Sequence, residues 1–122
     1  MSFADFEVRK VKTATLICLM YIAGPSKPRN VRVHATSSMS IHVSWKEPFL
    51  PNGVISEYWI YFGQEKDDMN HTWVAGSVRS RELSALRPFT TYYIKVRAKT
   101  TELGDASVLL NATTFEDSKF FT

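Results

Sequence analysis

The chain has 122 residues, 44% of them apolar and 22% charged, enough for one domain with its own core and too apolar for a disordered segment. The formal net charge is +3, with Lys and Arg dispersed along the chain; the sequence holds no clustered basic run of the kind nucleic-acid binding favours, so no nucleic-acid partner is expected. Cys18 is the only cysteine, so no intramolecular disulfide forms and the core has to stand on packing alone.

In chain order, residues 1–24 differ in pattern from the remainder of the chain. Arg9, Lys10 and Lys12 precede an apolar run, ATLICLMYIAG (Ala14–Gly24), of signal-peptide length but short of the about 20 residues that span a membrane. Asp5 and Glu7 ahead of the run weigh against a signal peptide, as does Tyr21 where a small residue should precede the cleavage point. Three readings fit: a signal-like segment, the end of a preceding domain carried by FEVRKV, and an apolar arm packed on this domain or on a second copy. The packed arm is favoured. Left exposed, residues 14–23 would promote self-association.

From Pro25 onward the pattern has period two and is broken by turn residues, which predicts about seven short strands and no helix. NVRVHA (Asn30–Ala35) turns Val31 and Val33 inward, and SIHVSWK (Ser40–Lys46) turns Ile41, Val43 and Trp45 inward. Pro51-Asn52-Gly53 marks a turn, because Gly53 accepts a positive φ. ISEYWIYF (Ile55–Phe62) then places Tyr58, Ile60 and Phe62 on one face and Trp59 and Tyr61 on the other. GQEKDDMN (Gly63–Asn70) reads as a polar loop. The further strands are TWVAG (Thr72–Gly76), RELSAL (Arg81–Leu86), TYYIKVRAK (Thr91–Lys99) and ASVLLNATT (Ala106–Thr114). Within LRPFTTYYIKVRA, Leu86 closes one strand and Pro88 turns the crossing segment. Tyr92 opens the next strand as a tyrosine corner, its hydroxyl within reach of backbone a few residues upstream. Strands with turn signals at this spacing predict an all-β sandwich of two antiparallel sheets.

The segments PSKPRNVRV, SIHVSW, NGVISEYWIYF and LRPFTTYYIKVRA, followed by Gly104, Ser107 and Thr114, resemble in order and spacing a fibronectin type III domain over about residues 25–115. Residues 116–122 remain as a C-terminal linker. The resemblance implies a seven-stranded, immunoglobulin-like sandwich with strands A, B and E in one sheet and C′, C, F and G in the other. It makes Trp45 and Tyr92 the central core aromatics, joined by Leu86, Pro88, Thr90, Val96 and Ala98, with inward-facing Tyr58 beside them.

Catalytic signals are absent from the pattern: the three histidines are scattered, no nucleophile sits in a strained elbow, and no Gly-rich loop follows a strand. The expectation is therefore no enzyme, no cofactor and no metal. His34 and His42 fall on the outward faces of adjacent strands, but two imidazoles without a nearby Cys or carboxylate make an incomplete zinc site. Asn70 (NHT) and Asn111 (NAT) are N-glycosylation acceptors in sequence. In ELGDAS (Glu102–Ser107), placed in the last loop, Leu103 stands where an Arg-Gly-Asp motif needs its cation, and Gly104 reads as a conformational glycine.

The strongest binding candidate is the outward face that alternation assigns to Trp59, Tyr61, Tyr93, Lys95 and Arg97 on neighbouring strands. Aromatic residues and Arg are enriched at interface hot spots; the competing reading is that these side chains only form cross-strand pairs. The expected function is a non-catalytic module of a larger extracellular or cell-surface receptor or adhesion protein, acting as spacer and protein-binding unit. No membrane insertion by the domain itself is expected, and the protein partner is not legible. The alternatives are a module of an intracellular structural array and a carbohydrate-directed accessory module built on Trp59 and Tyr61.

Overall fold

A computed structural model describes residues 24–117; the apolar run, its expected self-association and Cys18 lie outside the described residues, as does the linker beyond Asp117. Among the described residues eight strands succeed one another: β1 (Arg29–Ser37), β2 (Ser40–Lys46), β3 (Glu57–Glu65), β4 (Asp68–Ala75), β5 (Ser80–Leu83), β6 (Thr91–Lys99), β7 (Leu103–Ala106) and β8 (Leu110–Thr113). They form two antiparallel sheets, β1-β2-β5 and β4-β3-β6-β7, with β8 also paired to β6. No helix occurs among the described residues. The predicted sandwich is the observed architecture.

Alternation builds the core. Ile41, Val43 and Trp45 from β2 meet Tyr58 and Ile60 from β3 and Tyr92, Ile94, Val96 and Ala98 from β6, with Leu83 and Leu86 closing one end. Each fully buried Ile or Val side chain contributes about 1.5–3 kcal/mol relative to exposure, so this single cluster outweighs any surface contact in the molecule. Trp45 and Tyr58 pack with ring centres 5.3 Å apart. Pro88, expected in the core, is exposed. Its ring turns the chain on the surface, and its carbonyl accepts a hydrogen bond from the Thr90 hydroxyl at 2.8 Å.

Tyr92 does form the corner. The Arg87 N–H donates to its hydroxyl at 2.9 Å, five residues upstream, while Ala85 and Phe89 take positive φ of 57° and 47° on either side. Thr114 locks the same crossing from the C-terminal side: its hydroxyl donates to the Arg87 carbonyl at 2.6 Å and accepts from the Thr90 N–H at 2.9 Å. The Pro-Asn-Gly turn carries the expected positive φ, 54° at Asn52 and 132° at Gly53.

Three segments depart from the sequence reading. Gly63–Asn70 is no loop: β3 runs to Glu65 and β4 starts at Asp68, joined by a turn at Lys66 and Asp67. A bulge lies between Phe62 and Glu65, where a side chain at Gly63 would meet the Asp68 carbonyl at 2.8 Å. The polar composition misleads because the hairpin extends past the core, with no apolar face left to bury. The predicted strand Arg81–Leu86 ends at Leu83, since positive φ at Ala85 breaks extension. The predicted strand Ala106–Thr114 is two strands, β7 and β8, separated at Ser107. There the Val96 N–H donates to the Ser107 hydroxyl at 2.9 Å rather than to a strand carbonyl, and the Ser107 N–H donates back to the Val96 carbonyl.

Gly104 belongs to β7 rather than to a loop, and its φ is not positive. Its reason is space. Residues Gly24–Ser26 run so close along β7 that a Cβ at Gly104 would lie 2.0 Å from the Pro25 carbonyl oxygen, an oxygen that accepts the Asp105 N–H at 3.0 Å. The Leu103-Gly104-Asp105 triplet is thus held in an extended strand, unlike a loop-borne adhesion motif.

Candidate functional site

The outward side chains of β3, β4 and β6 form a continuous surface. Pairing sets Trp59 opposite Arg97 and Tyr61 opposite Lys95, with Tyr93 opposite Gly63. On the other flank Trp73 lies opposite Trp59 and His71 opposite Tyr61. All five residues assigned to this face from sequence therefore sit together, in the order that alternation requires. Trp59, Tyr61, Tyr93, Lys95 and Arg97 are half-buried against one another, and Trp73 is 56% exposed.

Rings and cations interleave across the face. Trp59 stacks on His71 at 4.7 Å with planes 8° apart, and Tyr61 lies 5.8 Å from the same imidazole. The Lys95 ammonium sits 5.5 Å from the Tyr61 ring centre, Lys99 5.6 Å from Trp59 and Lys66 5.2 Å from Tyr93. Arg97 reaches over Tyr61 at 6.0 Å and donates through Nε to the Gly104 carbonyl at 2.7 Å. Glu57 receives the Trp59 indole N–H at 2.9 Å and lies 3.7 Å from the Lys99 ammonium. Among the described residues Lys66, Lys95 and Arg97 form no ion pair with a carboxylate, although Glu65, Asp67 and Asp68 flank Lys66 in the hairpin. Cation–ring contacts at exposed sites stabilise by only about 0.5–1 kcal/mol each, so the face is positioned by the core beneath it rather than required by it.

His71, Trp73, Lys66 and Lys99 are members of this face that the sequence reading left out. The first two were recoverable: in NHTWVA the outward pair His71 and Trp73 alternates with Thr72 and buried Val74. Assigning the residues up to Asn70 to a loop hid that alternation.

The two acceptor asparagines occupy different places. Asn111 is exposed on β8 opposite Tyr93, hence on the outward face. Its sequence partner Thr113 shares a 2.7 Å hydrogen bond with the Thr91 hydroxyl there. Asn70 is exposed on the edge strand β4 rather than in a loop, over a cleft lined by Phe62, Glu65, Asp68, Leu86 and Arg87.

On the opposite sheet His34 and His42 are direct cross-strand partners, and the expectation that no carboxylate lies near is corrected. Glu82, the partner of His42 on β5, places Oε2 3.0 Å from His42 Nδ1. Among the described residues no group of three or more His, Cys, Asp and Glu is arranged to hold a metal ion. No helix among them is long and apolar enough to cross a membrane.

Comparison with known proteins agrees with this architecture. The chain is 36% identical over 78 residues to ephrin type-B receptor 3 of Homo sapiens, covering 64% of this chain and 8% of that one. It is 33% identical over 98 residues to ephrin type-A receptor 7 of Gallus gallus, covering 79% and 10%. It therefore spans about a tenth or less of the length of these relatives. The crystal structure of chicken CNTN1 FN1-FN3 domains superposes with a TM-score of 0.70 at 26% identity, over 77% of this chain and 33% of that one. A profile for the fibronectin type III domain matches residues 26–111, and with the two-sheet topology and the Tyr92 corner this establishes that the chain belongs to the fibronectin type III family.

Proposed function

We propose that the chain is a non-catalytic module of a larger extracellular or cell-surface receptor or adhesion protein, and that it binds a protein partner through the outward face of the β4-β3-β6 sheet. The observation that carries this reading is the pairing of exposed Trp73 with stacked Trp59 and His71, beside three cations that lack acidic partners among the described residues. Aromatic anchors and Arg supply most interface energy where they occur. Lys95 and Arg97, without ion-pair partners among the described residues, favour an acidic partner surface and a fast, salt-sensitive encounter. The extracellular receptors that the chain resembles support the compartment, and the acceptor asparagines on exposed edge strands are compatible with it.

A cell-surface binding assay with the module fused to a dimerising tag tests the proposal. Trp73→Ser combined with Lys95→Glu should abolish staining of responsive cells while leaving the thermal midpoint within about 2 °C of the parent, since both side chains lie outside the core. Retained staining with a lowered midpoint would mean that the face only pairs its own strands. Raising the salt concentration should weaken staining of the parent module.

A further inference from the structure

The outward face of the β1-β2-β5 sheet carries a polar row that plays no part in the proposed binding surface. His34, His42 and Glu82 are successive cross-strand neighbours on three strands. The two imidazole centres lie 5.4 Å apart. Glu82 is fixed in place: one carboxylate oxygen lies against His42 Nδ1 at 3.0 Å, and the other accepts from the Thr36 hydroxyl, which in turn bonds Ser40 at 2.7 Å. An ionised carboxylate at Nδ1 draws the imidazole proton to that nitrogen and leaves the lone pair on Nε2. Outer carboxylates set the ligand tautomer in this way at metal-bound histidines.

We propose that His34 and His42 form a two-imidazole site for a late first-row divalent metal ion, copper(II) or zinc, with Glu82 positioning the His42 ring. Two imidazoles bonded at about 2.0–2.1 Å to one tetrahedral ion have ring centres roughly 5 Å apart, which matches the spacing across β1 and β2. Among the described residues no third protein ligand is in place. The remaining coordination positions belong to water, which makes the site open to a further donor and of moderate affinity. Copper(II) is bound more tightly than zinc, following the general order for nitrogen ligands. The site shares no residue with the surface assigned to the protein partner, so the two proposals stand or fall separately.

The test uses the full 122-residue chain carrying Cys18→Ser, which removes the thiol as a competing ligand, titrated with copper(II) chloride and separately with zinc chloride. One equivalent of copper is expected, with an electron paramagnetic resonance spectrum showing two coordinated imidazole nitrogens. His34→Ala should weaken uptake by at least about tenfold, and Glu82→Ala by about 10–100-fold, the loss typical of an outer-shell partner. His71→Asn, on the other sheet, should leave affinity unchanged. One coordinated imidazole or none in the unsubstituted site, unaltered affinity in His34→Ala, or loss of binding in His71→Asn would each overturn the assignment. The spectrum of the His34-containing chain decides the matter even if a variant fails to fold. Unchanged affinity in Glu82→Ala would remove the positioning role.

Discussion

Tyr92→Phe deletes one oxygen and keeps the ring, so it isolates the corner bond. The oxygen accepts the Arg87 N–H at 2.9 Å; without it that partly buried amide loses its partner. An amide left unpaired inside a protein costs about 1–3 kcal/mol, and because Arg87 is itself exposed, water can reach part of the group, so the lower half of that range is expected. For a domain of this size the thermal midpoint should fall by roughly 5–15 °C. Tyr58→Phe is the matched control. The Tyr58 hydroxyl is buried with no hydrogen-bonding partner among the described residues, and its ring is 0% exposed, so removing the oxygen relieves a desolvation cost. Stability should stay level or rise by up to about 1 kcal/mol. Urea unfolding followed by tryptophan fluorescence measures both, with equal m-values required for the comparison. Losses of equal size in the two variants, or a Tyr92→Phe loss under about 0.3 kcal/mol, would refute the reasoning that hydrogen-bond satisfaction separates these phenols.

Gly104→Ala should destabilise the domain by about 1–3 kcal/mol, because the new methyl has to push aside the Pro25 backbone. Hydrogen exchange at the Asp105 amide, which donates to Pro25, should accelerate in the same variant, and unchanged protection would contradict the close approach. Burial raises the Tyr58 phenol above its ordinary value of 10.0. Above that pH the unfolded chain releases the proton while the folded chain retains it, so stability should fall as pH rises, and Tyr58→Phe should show a shallower alkaline decline. Glu82 has the opposite sign. Its carboxyl sits below 4.5 when folded, so its contribution is present above that value and fades as pH falls; Glu82→Gln should flatten the acid limb of the stability profile. Secretion from eukaryotic cells should add glycan mass at Asn70, lost in Asn70→Gln, and peptide mass alone would count against accessibility at that strand.

Alternation made most of the sandwich readable. Wherever one face is buried, a period of two fixes which residues point together, and so Trp59, Tyr61, Tyr93, Lys95 and Arg97 could be assembled from residue order alone. The same rule failed at Gly63–Asn70, where the hairpin projects beyond the core and polar residues occupy both faces. With it went His71, a ring that stacks at the centre of the surface. Long-range encounters left no local trace. Glu82 reaches His42 across 40 positions, and the contact of Pro25 with Gly104 joins segments whose proximity depends on the finished topology. Pro88 shows a third limit: a residue type can be required for turning the chain without being buried.

The strip of backbone from Gly24 to Ser26 also acts as a selvedge. β7 ends the larger sheet, and an unpaired border of this kind invites a strand from another molecule. The Pro25 carbonyl already engages the Asp105 amide, the imide nitrogen of Pro25 has no hydrogen to offer an incoming chain, and Gly24 lies too close to Leu103 for any intruder to slip between. Shortening the protein to begin at Lys27 would undo this hem and leave the Asp105 amide open to a strand from another molecule.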